Sequence, residues 1–212
     1  KKSLTLAPVN PPPLNSKHDE WSNLVYQKVN IVGKFLNSET LFVGPRSAPA
    51  LNTGGSGLMS APNPQTGYYL ITPFLPSDGK SDTILVNRGW IPKQLRKDFE
   101  GVGNDQKPVT ITCVPRPGEP KSTFVSNDAA TGFWLSMDVD SMSQHLGHKV
   151  PPFICELLAV NDDSSQAAKY PTKKQVDHLL NFHVMPVTHL AYSATWYLLS
   201  VGISVITFLK FR

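Results

Sequence analysis

Apolar and polar positions alternate in short bursts along most of this chain, then give way to one long uncharged stretch near its end. Residues 24–36 set Val25, Val29, Ile31, Val32 and Phe35 among polar neighbours, which predicts a strand broken near Gly33. A second strand over 39–43 comes after the polar turn Asn37-Ser38 and is ended by Gly44-Pro45-Arg46. Residues 67–75 and 82–90 read as two strong strands, joined by a hairpin loop over 76–80. Residues 108–114 alternate cleanly, with Val109, Ile111 and Cys113 on one face and Thr110 and Thr112 on the other. A short strand over 133–137 is expected next. Asp138 then caps a small helix through His145 that is closed by Gly147, and a last strand covers 153–160. Residues 161–170 read as a polar loop, and 172–182 as a short helix or an extended lead-in to the final apolar stretch. The fold class this predicts is mainly β: an antiparallel barrel or sandwich with one small helix.

That final stretch, 190–209, carries no formal charge. At the rise of an α-helix it spans ~30 Å, the thickness of a bilayer's hydrocarbon core. Tyr192, Trp196 and Tyr197 lie toward its N-terminal end, where an interfacial aromatic belt belongs, and Lys210 and Arg212 come directly after it. A C-terminal transmembrane helix is therefore expected. The cations behind it place Arg212 on the matrix or cytoplasmic side and the β domain opposite. On a helical wheel His189, Tyr192, Ser193, Trp196, Ser200, Ile203 and Thr207 share one stripe, which predicts packing against a partner helix or a cofactor. The expected organisation is a Pro-rich connector over 1–23, a β-rich domain over 24–182 with a mobile loop at 47–66, and a membrane segment over 183–212. The chain begins at Lys1 rather than Met, so a preceding signal, transit or membrane segment is also expected.

Composition narrows the chemistry. With 212 residues, 40% apolar, the chain allows one domain of ordinary size, or one domain plus membrane anchors, and 19 Pro and 14 Gly favour turns and short strands over long helices. A net charge of +4 suits an anionic lipid surface, but is too weak and too scattered for nucleic acid. The two cysteines, Cys113 and Cys155, form no metal or haem-attachment motif. They read as two separate buried thiols, or as a single disulfide in an oxidising compartment. Gly54-Gly55-Ser56-Gly57 fails as a nucleophile elbow because Leu58 stands where the last Gly belongs. Gly79-Lys80-Ser81 fails as a phosphate loop because Phe74 stands where the leading Gly belongs. His178, His183 and His189 have spacings of five and six, which do not put ligands on one helical face. His18, His145 and His148 read as surface histidines.

Particular strings carry more. TILVNRGWIPK (83–93) comes soon after GYYLITPF (67–74); upstream stand VNIVGKF (29–35) and LFVGPR (41–46); the last helix opens with HLAYSATWYLLS (189–200). Together these resemble the Surfeit locus protein 1 family, assembly factors of haem–copper cytochrome c oxidase, over nearly the whole chain from about Pro12. The resemblance implies two membrane helices bracketing a domain in the intermembrane space or periplasm. The long 47–66 segment is similar to that of mitochondrial members, which implies the mitochondrial inner membrane. The resemblance also implies help with haem a insertion or maturation of the large catalytic subunit, with that subunit, other assembly factors and membrane lipid as partners and no nucleic acid. Some bacterial members bind haem a, with a His at the head of the second membrane helix as proposed ligand; the matching residue is His189. Many members carry Asn two residues earlier, where this chain has Val187 after Pro186.

The candidate cofactor-binding residues are thus His189, Tyr192, Trp196 and Arg88. A neutral imidazole suits haem iron, and the alternative for His189 is an interfacial hydrogen bond to the domain. Tyr192 and Trp196 read as packing or belt residues, or as a cofactor wall. Arg88, at a strand end between Asn87 and Gly89, can grip a propionate in a fork or pair with an Asp on the barrel rim. Arg46 has the same two readings. Gly89 is expected to bend or bulge the backbone and turn Trp90. Asp138 and Asp140 read as capping and dipole partners rather than a catalytic pair. The function implied is a non-enzymatic assembly factor. The alternatives are a membrane-anchored interaction scaffold without haem, and a membrane-tethered hydrolase whose triad would assemble only in space.

Overall fold

The structure is a computed structural model that describes residues 7–9, 23–49, 65–78, 82–104, 107–121, 127–161, 170–173 and 186–211. It divides into two units, Lys1–Gln175 and Val176–Arg212. The expected loop at 47–66 lies outside the described residues except at its two ends, as do most of the connector over 1–23, the loop at 161–170 and the lead-in at 172–182.

Among the described residues, six strands build the first unit: β1 (Val29–Phe35), β2 (Leu41–Ser47), β3 (Thr66–Pro76), β4 (Ile84–Pro92), β5 (Val109–Pro117) and β6 (Phe153–Asn161). Their order is β1-β5-β6-β4-β3-β2, and a further β1–β3 pairing closes a ring. The length of β3 makes closure possible. Its first half pairs with β2, from Thr66 to Ile71, and its end pairs with β1, where Phe74 faces Phe35. Its other edge carries β4 throughout. The expected ladders are antiparallel, and all are except β4–β6, which is parallel.

The ring is filled by side chains that alternate inward, among them Val29, Ile31, Phe35, Phe74, Ile84, Val86, Ile111 and Leu157. The opposite face of the same strands is also covered. Val43, Ile71, Leu85 and Ile154 pack under Trp134, Met137, Val139 and Met142. Burial on both faces explains why β4 reads as a nearly continuous apolar run rather than an alternating one. A third small cluster joins Phe42, Leu70 and Ile91.

Several boundaries depart from the sequence reading. β1 starts at Val29 and runs unbroken through Gly33, which pairs with Val109 on one side and Pro76 on the other. A Cβ at Gly33 would lie 2.3 Å from the Leu75 carbonyl oxygen, so glycine is there for close strand approach and not for a break. Gly44-Pro45-Arg46 does not end β2. The strand passes through a bulge between Val43 and Arg46 to Ser47. Residues 133–137 form only bridges, Asp128 with Phe133 and Val43 with Trp134, and the segment is a cover for the sheet rather than a strand. A short helix α1 (Arg96–Phe99) stands where the sequence pattern predicts none. Helix α2 (Val139–Leu146) is as expected. The Asp138 carboxylate accepts from the Ser141 amide at 3.3 Å and its hydroxyl at 2.6 Å, and Gly147 ends the helix with φ 69°.

The described part of the second unit is one helix, α3 (Pro186–Phe211), 26 residues long. The stretch His189–Phe211 is long and apolar enough to cross a membrane, with a mean hydropathy of 1.5 over an 18-residue window. Its described side chains are exposed. The hydroxyls within it are satisfied locally. Ser193 donates to the Leu190 carbonyl at 2.9 Å, Thr195 to that of Tyr192 at 2.6 Å, and Ser204 to that of Ser200 at 2.9 Å. Such back-bonding lets a polar residue face lipid without an unmet donor, so these hydroxyls do not by themselves require a partner.

Candidate functional site

The candidate residues fall in both units. In α3, His189, Tyr192 and Trp196 stand at i, i+3 and i+7, on one helical face. All three are exposed, Tyr192 at 56% and Trp196 at 71%. The face thus offers an imidazole at the head of an apolar helix, with two large rings on successive turns below it. That donor set fits a flat apolar macrocycle carrying a metal, because imidazole supplies the ligand and the aromatics the wall.

Arg88 lies in the first unit. Leu70 faces Gly89 while Ile71 faces Asn87, so Arg88 is the extra residue of a bulge in β4. Its Nη1 donates to Asn37 Oδ1 at 2.7 Å, and its guanidinium sits over the Phe35 ring at 4.6 Å. Asn37 in turn donates to the Gly103 carbonyl at 3.1 Å. These contacts tie β4, the turn at Asn37–Glu39 and the segment before β5.

Gly89 comes next, with φ 126°. Its amide donates to Asn87 Oδ1 at 3.1 Å. A Cβ there would lie 2.6 Å from the Thr172 carbonyl oxygen. This close passage brings Lys173 beside Arg88. Burial first, and the Arg88 charge second, push the Lys173 ammonium below the usual lysine range.

Arg46 has a carboxylate partner. Its Nη2 donates to Glu119 at 2.7 Å and to the Leu135 carbonyl at 3.1 Å, while Glu119 also accepts from the Met137 amide at 3.0 Å. Arg116 pairs with the buried Glu156 at 3.2 Å. Tyr69 sits among these four charges. Burial chiefly, and then Glu156, raise its phenol above the usual range against the opposing pull of Arg46 and Arg116.

A cleft of about 460 Å³ opens on this unit, lined by Glu39, Phe42, Arg96, Glu100, Trp134 and His145 among others. Arg96 is held by Glu100 at 2.6 Å and stacks on Phe42 and Tyr68. Two of the three histidines read as surface residues have partners in this unit, and His18 lies outside the described residues. His148 Nε2 meets Glu39 Oε2 at 2.6 Å, and the His145 ring meets Trp134 edge-on at 5.4 Å. No local motif signals this cleft, because its walls come from four separate segments. Among the described residues, no group of three or more His, Cys, Asp or Glu comes together as a metal would require.

Cys113 and Cys155 are both buried free thiols. They stand on the neighbouring strands β5 and β6, in one core cluster.

Comparison with known proteins bears on the whole chain. The family model described as the SURF1 family matches residues 2–201. Surfeit locus protein 1 of Arabidopsis thaliana is 28% identical over 257 residues, covering 100% of this chain and 68% of that protein. The SURF1-like protein of Drosophila melanogaster is 32% identical, covering 96% of this chain and 64% of that protein. Surfeit locus protein 1 of Takifugu rubripes is 32% identical, covering 97% and 82%. The chain thus spans about two thirds of the length of the first two.

Proposed function

The chain belongs to the SURF1 family, and from that premise we propose that it is a membrane-anchored, non-enzymatic assembly factor for cytochrome c oxidase. In this reading it assists haem a insertion or the maturation of the large catalytic subunit. Its partners are that subunit, other assembly factors and membrane lipid. The observation that carries the proposal is family membership over nearly the whole chain, joined to a histidine at the head of an apolar helix long enough to cross a bilayer.

The compartment proposed is the mitochondrial inner membrane. Lys210 closes the apolar stretch, and by the positive-inside rule it belongs on the matrix side, with the β unit in the intermembrane space. Haem a, when bound, would supply an iron centre able to take an imidazole ligand. His189 would hold it, and Tyr192 and Trp196 would shield the ring from lipid and water. The bulk of the β unit would then offer the surface for the client.

The test is spectroscopic. The full-length protein, purified in detergent with haem a available, should show a Soret band that His189→Ala removes, while far-UV dichroism of the variant stays unchanged. An unaltered band in that variant would reject His189 as ligand. Absence of any band in the wild type, together with normal rescue of oxidase assembly in cells lacking the endogenous protein, would instead favour a scaffold without haem. The cleft beside Arg96 and Trp134 is the observation that favours that second reading.

A further inference from the structure

We infer that the cleft beside Trp134 is a binding site for an uncharged, extended peptide segment, seated with a backbone carbonyl on Trp134 Nε1 and an apolar side chain against Phe42 and Phe99. Trp134 lines the cleft and is 1% exposed, and its Nε1 is buried with no hydrogen-bond partner among the described residues. An indole N–H only donates, so the missing partner is an acceptor. A phenylalanine would cover the outer face of the sheet without leaving a donor unmet, so the indole calls for a second role. Access needs only that the His145 ring turn aside; it is exposed, lies edge-on to Trp134 at 5.4 Å and makes no hydrogen bond among the described residues.

The lining sets the ligand's charge. Arg96 is held by Glu100 at 2.6 Å, and Glu39 meets His148 at 2.6 Å. With these charges engaged in pairs, what remains is the unmet donor and the rings of Phe42 and Phe99. At about 460 Å³ the cleft has room for a large side chain and its peptide groups. The strand edge points to a peptide. Ring closure through β1–β3 leaves β2 at the end of the strand order, and among the described residues its outer edge is bridged only from Val43 to Trp134. Leu41 and Phe42, just before that bridge, line the cleft. An extended peptide can use the backbone there as a further strand would, while its side chain enters the pocket. As an account of client capture this rests on the assembly-factor reading; the binding itself does not.

The test is a titration of the full-length protein in detergent, with isotope-labelled indole nitrogens, by N-acetylphenylalaninamide. The Trp134 indole signal is identified by its loss in Trp134→Phe or by its Overhauser contact with the His145 ring. It should move downfield and saturate, while the signal of Trp90, already bonded to the Arg46 carbonyl, stays in place. Trp134→Phe should weaken binding of the probe roughly three- to tenfold, the worth of one neutral hydrogen bond. N-acetylphenylalanine, with the same ring and a carboxylate, should bind more weakly than the amide. A Trp134 signal that stays fixed up to the probe's solubility limit, equal binding by Trp134→Phe, or tighter binding of the carboxylate would each overturn the inference. Haem a is absent from these titrations, so a negative result bears on the cleft alone, and a negative haem spectrum leaves the cleft standing.

Discussion

Trp90 and Thr172 exchange two backbone hydrogen bonds, Trp90 N–H to the Thr172 carbonyl at 2.9 Å and Thr172 N–H to the Trp90 carbonyl at 2.8 Å. This bridge straps the chain that leaves the β unit onto β4, directly over Gly89. The strap and the bulge at Arg88 depend on one another. With φ at 126°, Gly89 occupies a conformation that other residues adopt only under strain, and the passing Thr172 carbonyl fills the space of a side chain.

Gly89→Ala is therefore expected to lower the stability of the β unit by about 1–3 kcal/mol, through backbone strain and displacement of the strap. Thermal unfolding of the purified variant checks this. Gly101→Ala is the comparison, since its φ of 69° is also positive but nothing lies within 4 Å of its Cβ site. It should lose less than Gly89→Ala. Equal losses would mean that φ alone matters and the strap contributes nothing.

Lys173 gives a pH dependence. Its folded pKa lies below the ordinary lysine value of 10.5, so at neutral pH the folded state carries a charge that burial and Arg88 disfavour. The unfolded chain binds that proton more tightly, so stability rises with pH between the lowered folded pKa and 10.5. Lys173→Gln should raise the unfolding temperature at pH 7, and its advantage over wild type should shrink as pH climbs toward 10.5. An advantage that does not change with pH would point to packing instead of charge.

Two buried tryptophans differ in one hydrogen bond. Trp90 Nε1 donates to the Arg46 carbonyl at 3.1 Å, whereas Trp134 Nε1 is buried with no hydrogen-bond partner among the described residues. Both are almost fully buried, so Trp→Phe removes similar volume at each. Trp90→Phe should cost about 1 kcal/mol more than Trp134→Phe, the net worth of the bond and of leaving an acceptor unmet. Chemical denaturation of the two variants with a shared slope measures the difference.

Much of this architecture was legible in the residues, for identifiable reasons. Ile111 and Cys113 are buried and Thr112 is not, as the alternation of β5 indicates. The cap at Asp138 and the stop at Gly147 are local chemistry, visible without any tertiary contact. What misled was tertiary. Trp134 and Met137 are buried because they cover the outer face of the sheet, so their apolar character imitates a strand while their backbone makes only bridges. Gly33 and Gly44 look like breaks in one dimension and prove to be close approaches between strands. The contact of Arg88 with Asn37 was unreadable because the two lie 51 positions apart. The helical face of His189, Tyr192 and Trp196 was readable, since it needs only the helical period.

The anchor offers the most direct test of the membrane reading. At its centre Leu198 is 73% exposed, with no protein to shelter a charge among the described residues. An arginine near the middle of a spanning helix costs roughly 2.5–3.5 kcal/mol on insertion scales, enough to expel a segment of moderate hydropathy. Leu198→Arg should therefore shift the protein from the carbonate-resistant membrane fraction to the soluble fraction by about tenfold or more. His189→Ala should leave that partition unchanged, because the head of the helix sits at the interface, where polarity is cheap. If Leu198→Arg stays as firmly embedded as wild type, α3 is held by a water-filled or protein-lined path rather than by lipid. If His189→Ala also leaves the membrane, its effect on a haem spectrum would report lost anchoring, so this partition must be measured before the spectrum is read.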